Sequence, residues 1–280
     1  MLPIASALSS SLCWGLADFV GGLQSRRLPV FVVLLVSQGA ALLAAMAVAL
    51  LSGESLPPAG RVAAGMAAGA AGVLALACFY RALAIGTMSI VAPIAATGAV
   101  VPVIVGMASG DRPSGVQIAG MALAMAGVVL ASREIHDDEQ KAADARLAVT
   151  LALITALGFG LFFVGMERAA SGGVLWALVS ARVASVACVG LLTARSRPSF
   201  AGVRPALAPL VAIGLLDGAA NGLYAFATTE GLLSVVAILG SLYPVVTILL
   251  ARMVLGERVR RIQELGIAGA VAGVALIAAG

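Results

Sequence analysis

Two stretches of the sequence repeat one another: residues 80–132 read YRALAIGTMSIVAPIAATGAVVPVIVGMASGDRPSGVQIAGMALAMAGVVLAS, and residues 224–280 read YAFATTEGLLSVVAILGSLYPVVTILLARMVLGERVRRIQELGIAGAVAGVALIAAG. An offset of 145 residues places Gly86 on Gly231, and one added residue then places Asp111 on Glu257. The same offset places Trp14-Gly15 on Phe159-Gly160. The N-terminal segment therefore belongs to the repeat, and the sequence predicts a tandem duplication.

The composition predicts a membrane protein. Of the 280 residues, 61% are hydrophobic and 11% are charged, and the mean hydropathy is +1.10. Soluble domains have roughly 45–50% apolar and about 25% charged residues. The apolar runs are long enough to cross about 30 Å of hydrocarbon as helices, and the alternating pattern of a membrane barrel is absent.

The sequence predicts ten membrane-spanning helices in two halves. The longest hydrophilic segment, residues 133–146, separates a first five-helix repeat (1–132) from a second (147–280). Turn-forming residues such as Gly53 and Pro57-Pro58 separate the spans. The predicted spans are 3–23, 30–51, 62–84, 89–108, 114–132, 147–168, 173–194, 205–229, 233–253 and 262–279.

The basic residues predict the orientation of the chain. Of the 17 Lys and Arg residues, the loops on the side of residues 133–146 hold all but four, namely Arg61, Arg112, Arg168 and Arg182. The positive-inside rule therefore places the linker 133–146 in the cytoplasm and both termini outside. We expect a multi-pass protein of a bacterial-type cytoplasmic (inner) membrane.

An odd number of spans in each half inverts the second half relative to the first. Inverted repeats are the architecture of many secondary transporters, with the substrate site near the bilayer midplane and alternating exposure to the two sides. The sequence contains no P-loop, no H-E-x-x-H and no G-x-S-x-G motif, so neither an ATP site nor an enzymatic function is predicted, and we expect no cofactor and no metal.

Three ionisable side chains lie inside predicted spans: Asp18, Arg182 and Asp217. Such residues are costly in hydrocarbon and indicate a cavity or a buried pair. Asp217 begins a polar stripe that continues with Asn221, Tyr224 and Thr228 on one helix face. The alternative is a polar contact between helices, including an Asp217–Arg182 ion pair. Asp18 and Asp217 are the candidates for proton coupling.

Prolines occur at corresponding places in the two halves. Pro93 and Pro102 lie in the fourth span and Pro244 lies in the ninth. Each proline frees a backbone carbonyl and can kink its helix, and paired kinked helices indicate a binding region. The alternative is a proline accommodated by packing alone.

The motifs resemble one family. Leu255-Gly256-Glu257-Arg258, followed by Ala272-Gly273-Val274, is similar to the EamA-type branch of the drug/metabolite transporter superfamily, and the resemblance covers the whole chain. The first half has Asp111 where the motif has Glu257. The resemblance implies an exporter of small metabolites, and size and architecture resemble the YddG-like amino-acid exporters. An aromatic cavity that includes Phe159 would suit apolar or aromatic side chains.

These observations predict a secondary transporter that exports amino acids or similar small metabolites. Exporters of cationic drugs or nucleosides, an intramembrane enzyme acting on lipids and a membrane scaffold are the alternatives. We expect a monomer whose partners are a small-molecule substrate and the lipid bilayer, without nucleic acid. The candidate substrate-binding residues are Trp14, Phe79, Thr97, Phe163, Asp217, Asn221, Tyr224, Ser241 and Tyr243.

Overall fold

The structure is a computed structural model that describes residues 2–131, 139–256 and 261–279. Within these ranges the regular elements are α-helices and one 3₁₀ turn, Thr97–Ala99. The helices are α1 (Leu2–Ser25), α2 (Val30–Ser52), α3 (Ala59–Ile85), α4 (Met88–Ala96), α5 (Val100–Ala108), α6 (Gly115–Ala131), α7 (Glu139–Ala170), α8 (Val174–Ser196), α9 (Val203–Glu230), α10 (Leu233–Gly240), α11 (Tyr243–Leu255) and α12 (Arg261–Ala279).

The helices account for all ten predicted spans. Eight stretches of the described chain are long and apolar enough to cross a membrane. The α4–α5 pair forms one of them, over Met88–Ala108, and the α10–α11 pair forms another, over Leu233–Leu255. Helices α6 and α12 cover the two remaining predicted spans. The chain is therefore an all-α, multi-pass membrane protein. Helices suit this role because they satisfy their own backbone hydrogen bonds in lipid.

Helix α7 begins earlier than the sequence predicts. It starts at Glu139, so residues 139–146 of the predicted linker are helical. That segment reads EQKAADAR, which consists mostly of strong helix formers, and the polar turns extend the apolar helix beyond the hydrocarbon. Residues 133–138 of the linker lie outside the described residues, as do Glu257 and Arg258 of the C-terminal motif.

The packing of the helices is symmetric between the two halves. Helix α1 packs against α9, and its counterpart α7 packs against α3. In the same way α4 contacts α11 while α5 contacts α10, and α2 contacts both α8 and α9. Helices α6 and α12, which are equivalent to each other, form their own pair. This exchange of partners is what an inverted repeat related by a twofold axis produces.

The fourth and ninth spans are broken at equivalent positions. The 3₁₀ turn begins at Thr97, and the break between α10 and α11 falls at Ser241–Leu242, which agrees with the predicted pair of kinked helices. A glycine from the facing helix packs on each break. A Cβ atom on Gly15 would lie 2.8 Å from the carbonyl oxygen of Tyr243, and one on Gly160 would lie 2.7 Å from that of Gly98. The repeated aromatic-glycine pair therefore permits close helix contact at each break.

Candidate functional site

A cavity lies between the two repeats. The space not filled by atoms is about 620 Å³, and this volume includes open solvent. Helices α1, α2 and α3 of the first half and α7, α8, α9 and α11 of the second contribute to its wall. The lining consists of Trp14, Asp18, Gln38, Gly69, Gly72, Val73, Leu76, Phe159, Phe162, Phe163, Met166, Leu178, Ala181, Arg182, Ser185, Asp217, Asn221 and Tyr243.

Asp217 is the centre of a hydrogen-bond network in this wall. Its Oδ1 atom accepts hydrogen bonds from Trp14 Nε1 at 3.2 Å and from Asn221 Nδ2 at 3.1 Å. Its Oδ2 atom accepts one from Gln38 Nε2 at 3.1 Å and lies 2.8 Å from Nη1 of Arg182. A carboxylate offers about four acceptor positions. The four donors from α1, α2, α8 and α9 therefore occupy the carboxylate fully.

Arg182 is fixed by the same network but keeps unused donors. Its Nη1 atom also donates to Oε1 of Gln38, and its Nη2 atom lies 3.4 Å from the backbone oxygen of Asp217. A guanidinium carries five N–H groups. The contacts to described residues use no more than three of them, and the side chain lines the cavity while only 6% exposed. Arg182 can therefore bind a second acceptor, such as a carboxylate.

An aromatic wall stands beside the charged pair. The ring of Trp14 lies 5.6 Å from those of Phe163 and Tyr224, and Phe163 stacks on Tyr224 at 4.8 Å. Phe159 and Tyr243 add two more aromatic rings to the lining. Aromatic walls with a few placed polar groups are typical of sites for small organic ligands.

Two buried polar atoms on α9 have no hydrogen-bond partner among the described residues. These are Oδ1 of Asn221 and the hydroxyl of Tyr224, one turn apart on α9. Since the Asn221 side-chain nitrogen donates to Asp217, its oxygen points elsewhere. Buried polar groups in folded proteins are normally paired. An unpaired acceptor beside a cavity suits a ligand that supplies a donor.

Asp18 also faces the cavity, one turn after Trp14 on α1. It is 5% exposed. Unlike Asp217, it makes no hydrogen bond or ion pair with the described residues. The cavity therefore contains two carboxylates in different situations, one saturated by donors and the other without any.

The structure brings most of the predicted site residues to one place. The cavity is lined by five of the predicted substrate-binding residues, Trp14, Phe163, Asp217, Asn221 and Tyr243, and by Asp18. The ion pair between Asp217 and Arg182, raised from the sequence as the alternative reading of the polar stripe, is present. Because this pair lies in the cavity wall, the polar contact between helices and a binding role are compatible.

Four predicted residues do not line the cavity. Phe79 is fully buried behind it, with its ring 5.6 Å from Phe159 and 6.1 Å from Tyr243. Tyr224 is fully buried and supports Trp14 and Phe163. Thr97 and Ser241 donate their hydroxyls to carbonyls three residues earlier in the chain. These residues therefore shape the wall or the helix breaks, and the sequence spacing alone did not distinguish those roles from lining.

Gln38 is a lining residue that the sequence reasoning did not select. It binds both members of the charged pair, through Nε2 to Asp217 and through Oε1 to Arg182. The available signal was one amide within the otherwise apolar run VFVVLLVSQGAALL. A polar side chain in the middle of a span favours a partner inside the bundle.

The two halves of the chain match one family separately. A sequence model of the EamA-like transporter family matches residues 1–133 and again residues 146–279. The chain belongs to this family. Two matches within one chain are what a tandem duplication produces. This EamA-like protein is therefore a multi-pass membrane transporter of small solutes.

The fold of this EamA-like protein also occurs among solved structures. A chain described only as the crystal structure of a protein superposes with a TM-score of 0.76 at 18% sequence identity, covering 98% of this chain and 95% of that one. That similarity concerns the fold alone. None of the curated proteins compared with the chain matches it.

Proposed function

We propose that the protein is a secondary transporter that exports amino acids with apolar or aromatic side chains, or similar small amphipathic metabolites. The observation that carries this proposal is the cavity in which the buried Arg182–Asp217 pair lies beside an aromatic wall. An amino acid has a charged end and an apolar end, and the two kinds of wall complement them.

The polar end of the substrate would bind near α8 and α9. Arg182 has N–H groups left for a carboxylate, which guanidinium binds with two parallel hydrogen bonds. The unpaired Oδ1 of Asn221 would accept a hydrogen bond from the substrate. Trp14, Phe159 and Phe163 would contact the apolar side chain. Asp217 would hold Arg182 and Trp14 in position.

Transport would proceed by alternating access. The symmetric packing of the two repeats supports this mechanism, since two equivalent arrangements of the same helices can expose one site to either side. The breaks at Thr97 and Ser241 support it further, because short half-helices can tilt without unfolding a whole span.

We place the protein in a bacterial-type cytoplasmic membrane as a monomer, with the linker 133–146 in the cytoplasm and both termini outside. The uneven distribution of Lys and Arg supports this orientation. Export would then carry the substrate from the linker side to the side of the termini.

Counterflow in proteoliposomes tests the proposal. Vesicles loaded with unlabelled leucine or phenylalanine should accumulate the labelled amino acid, and Asp217→Asn and Asn221→Leu should each abolish this flux. The flux is compared only for protein that is still folded in the vesicles, because Asp217→Asn also lowers stability. Glu230→Gln is a matched control, since Glu230 is exposed at the end of the same helix. Absence of counterflow for the amino acids, with flux of a nucleoside or cationic drug, would refute the proposed substrate class.

The same vesicles test proton coupling. If Asp18 or Asp217 carries a proton during transport, flux should change when a pH gradient is imposed. Equal rates with and without the gradient would remove this role from both carboxylates and leave facilitated transport.

A further inference from the structure

The charges that line the cavity do not balance. Among the residues that the structure describes, the lining contains two carboxylates, Asp18 and Asp217, and one guanidinium, Arg182. Arg182 compensates Asp217, with 2.8 Å between Nη1 and Oδ2. This leaves the Asp18 carboxyl without a counter-ion among the described residues. A carboxyl in such a place avoids the cost of an unpaired charge either by holding a proton or by binding a cation, so a positively charged ligand is one partner that suits it.

Asp217 cannot take that ligand without losing a present partner. Its four acceptor positions are already occupied by the donors of Trp14, Gln38, Asn221 and Arg182. Asp18 has none of its acceptor positions filled by the described residues. Of the two carboxylates in the cavity, Asp18 is therefore the one open to a new donor.

The groups near Asp18 favour a cation further. Asp217 on α9 lines the same cavity, and a second carboxylate in one cavity adds to the attraction of a cation there. From α11, Tyr243 also lines the cavity, and its side chain is not cationic. The cation that lines the cavity, Arg182, is bound to Asp217 and Gln38.

We propose that Asp18 binds the ammonium group of the transported substrate. The charged end of the substrate would then lie with its ammonium at Asp18 on α1 and its carboxylate at the unused N–H groups of Arg182 on α8, so that the two charged groups contact the two repeats. This inference rests on the proposed function and assigns the orientation of the substrate within the same cavity.

A stability measurement separates this role from a structural one. Asp18→Asn replaces a carboxyl that has no counter-ion among the described residues by a neutral amide of nearly the same shape, so the melting temperature of the protein without substrate should be unchanged or higher. Asp217→Asn, which leaves Arg182 without its counter-ion, should lower it. A lower melting temperature for Asp18→Asn, as for Asp217→Asn, would show that Asp18 has a structural partner and overturn the proposal.

Binding of three related ligands tests the chemistry, by titration calorimetry of the full chain in detergent. Leucine carries both charged groups, 3-methylbutylamine carries the ammonium alone, and N-acetyl-leucine carries the carboxylate without an ammonium. The wild type should bind leucine at least about tenfold more tightly than N-acetyl-leucine, as expected for loss of a hydrogen bond to a charged group. Asp18→Asn should abolish that preference, and Glu230→Gln should keep it.

The outcomes distinguish this inference from the proposed function. If leucine fails to bind but 3-methylbutylamine binds and depends on Asp18, the amino-acid substrate is wrong and the ammonium site stands. If the wild type binds leucine and N-acetyl-leucine equally, or if Asp18→Asn keeps the preference, the ammonium site is refuted while amino-acid transport stands. If neither leucine nor 3-methylbutylamine binds, both the proposed function and the ammonium site are refuted.

Discussion

The Nη1 atom of Arg182 on α8 lies 2.8 Å from the Oδ2 atom of Asp217 on α9, and both side chains line the cavity. A buried ion pair adds little net stability, because the desolvation of two charges offsets their attraction. Removing one partner is a different matter, since the other charge is left buried and unpaired. Single substitutions in the pair should therefore lower stability strongly, whereas a double substitution that removes both charges should not.

We predict that Asp217→Asn and Arg182→Gln each lower the free energy of unfolding by roughly 3–5 kcal/mol. The double variant should lose clearly less than the sum, because it buries no unpaired charge. Denaturant unfolding of the four proteins in detergent gives the coupling energy. Additive losses would mean that the two side chains do not form a pair in the folded protein.

Gln38 should be a second sensitive position. Gln38→Leu removes a donor to Asp217 and an acceptor of Arg182, and we expect a loss of about 1–3 kcal/mol with weaker substrate binding. The neighbouring Ser37→Ala is the matched control, since the Ser37 hydroxyl donates only to Leu34 of its own helix. Equal stability of the two variants would show that Gln38 does not join the network.

The sequence predicted the scaffold more fully than the site. Long apolar runs predict helices, because a helix satisfies its own backbone hydrogen bonds in lipid. Counting the apolar runs in each half gives the odd number of spans in each repeat. The positions of Asp217 and Asn221 on one helix face followed from helical spacing. Their partners did not, because contacts of Trp14 and Gln38 with Asp217 join residues 203 and 179 positions apart, and no local pattern encodes them.

Hydroxyl groups were the least predictable side chains. Thr97 and Ser241 are polar residues at the helix breaks, which made them candidates, but each donates to a carbonyl three residues earlier. A Ser or Thr side chain in a helix always has this local alternative. Spacing in the sequence cannot distinguish it from a contact with substrate, whereas an amide or a charged group inside a span needs a partner from elsewhere.

The repeated glycines Gly15 and Gly160 should tolerate no side chain. In Gly15→Ala and Gly160→Ala the new methyl group would lie within 3 Å of a backbone oxygen at the helix break. We expect each to lower stability by about 1–3 kcal/mol through overpacking. Gly39→Ala and Gly190→Ala are controls, since no atom lies within 4 Å of their added methyl groups. Those two should be neutral or gain up to about 1 kcal/mol.

The orientation of the chain is tested with reporter fusions. A reporter that works only outside the cytoplasm should be active when fused to the C-terminus and inactive when fused within residues 133–146. A reporter that works only in the cytoplasm should show the reverse pattern. Cytoplasmic activity of the C-terminal fusion would overturn the orientation inferred from the Lys and Arg residues.

Asp111 links the two repeats at the start of a broken span. Its Oδ2 atom accepts a hydrogen bond from the backbone nitrogen of Ser234 at 2.9 Å. Ser234 lies in the first turn of α10, and the residue that precedes this helix, Leu232, has no side chain able to cap it. A loop of the first repeat therefore caps a helix of the second.

We predict that Asp111→Ala costs about 0.5–2 kcal/mol, the usual effect of losing a helix cap, and speeds hydrogen exchange of the Ser234 amide. Asp111→Asn should keep part of the protection, because its amide oxygen can still accept. Ser114→Ala is the matched control: the Ser114 hydroxyl accepts from the backbone nitrogen of Gln117 at the start of α6, so its loss should leave exchange at Ser234 unchanged. If Ser114→Ala and Asp111→Ala speed that exchange equally, the effect comes from general loosening of the loop. Exchange that increases only in Asp111→Ala would instead assign the protection to this one carboxylate.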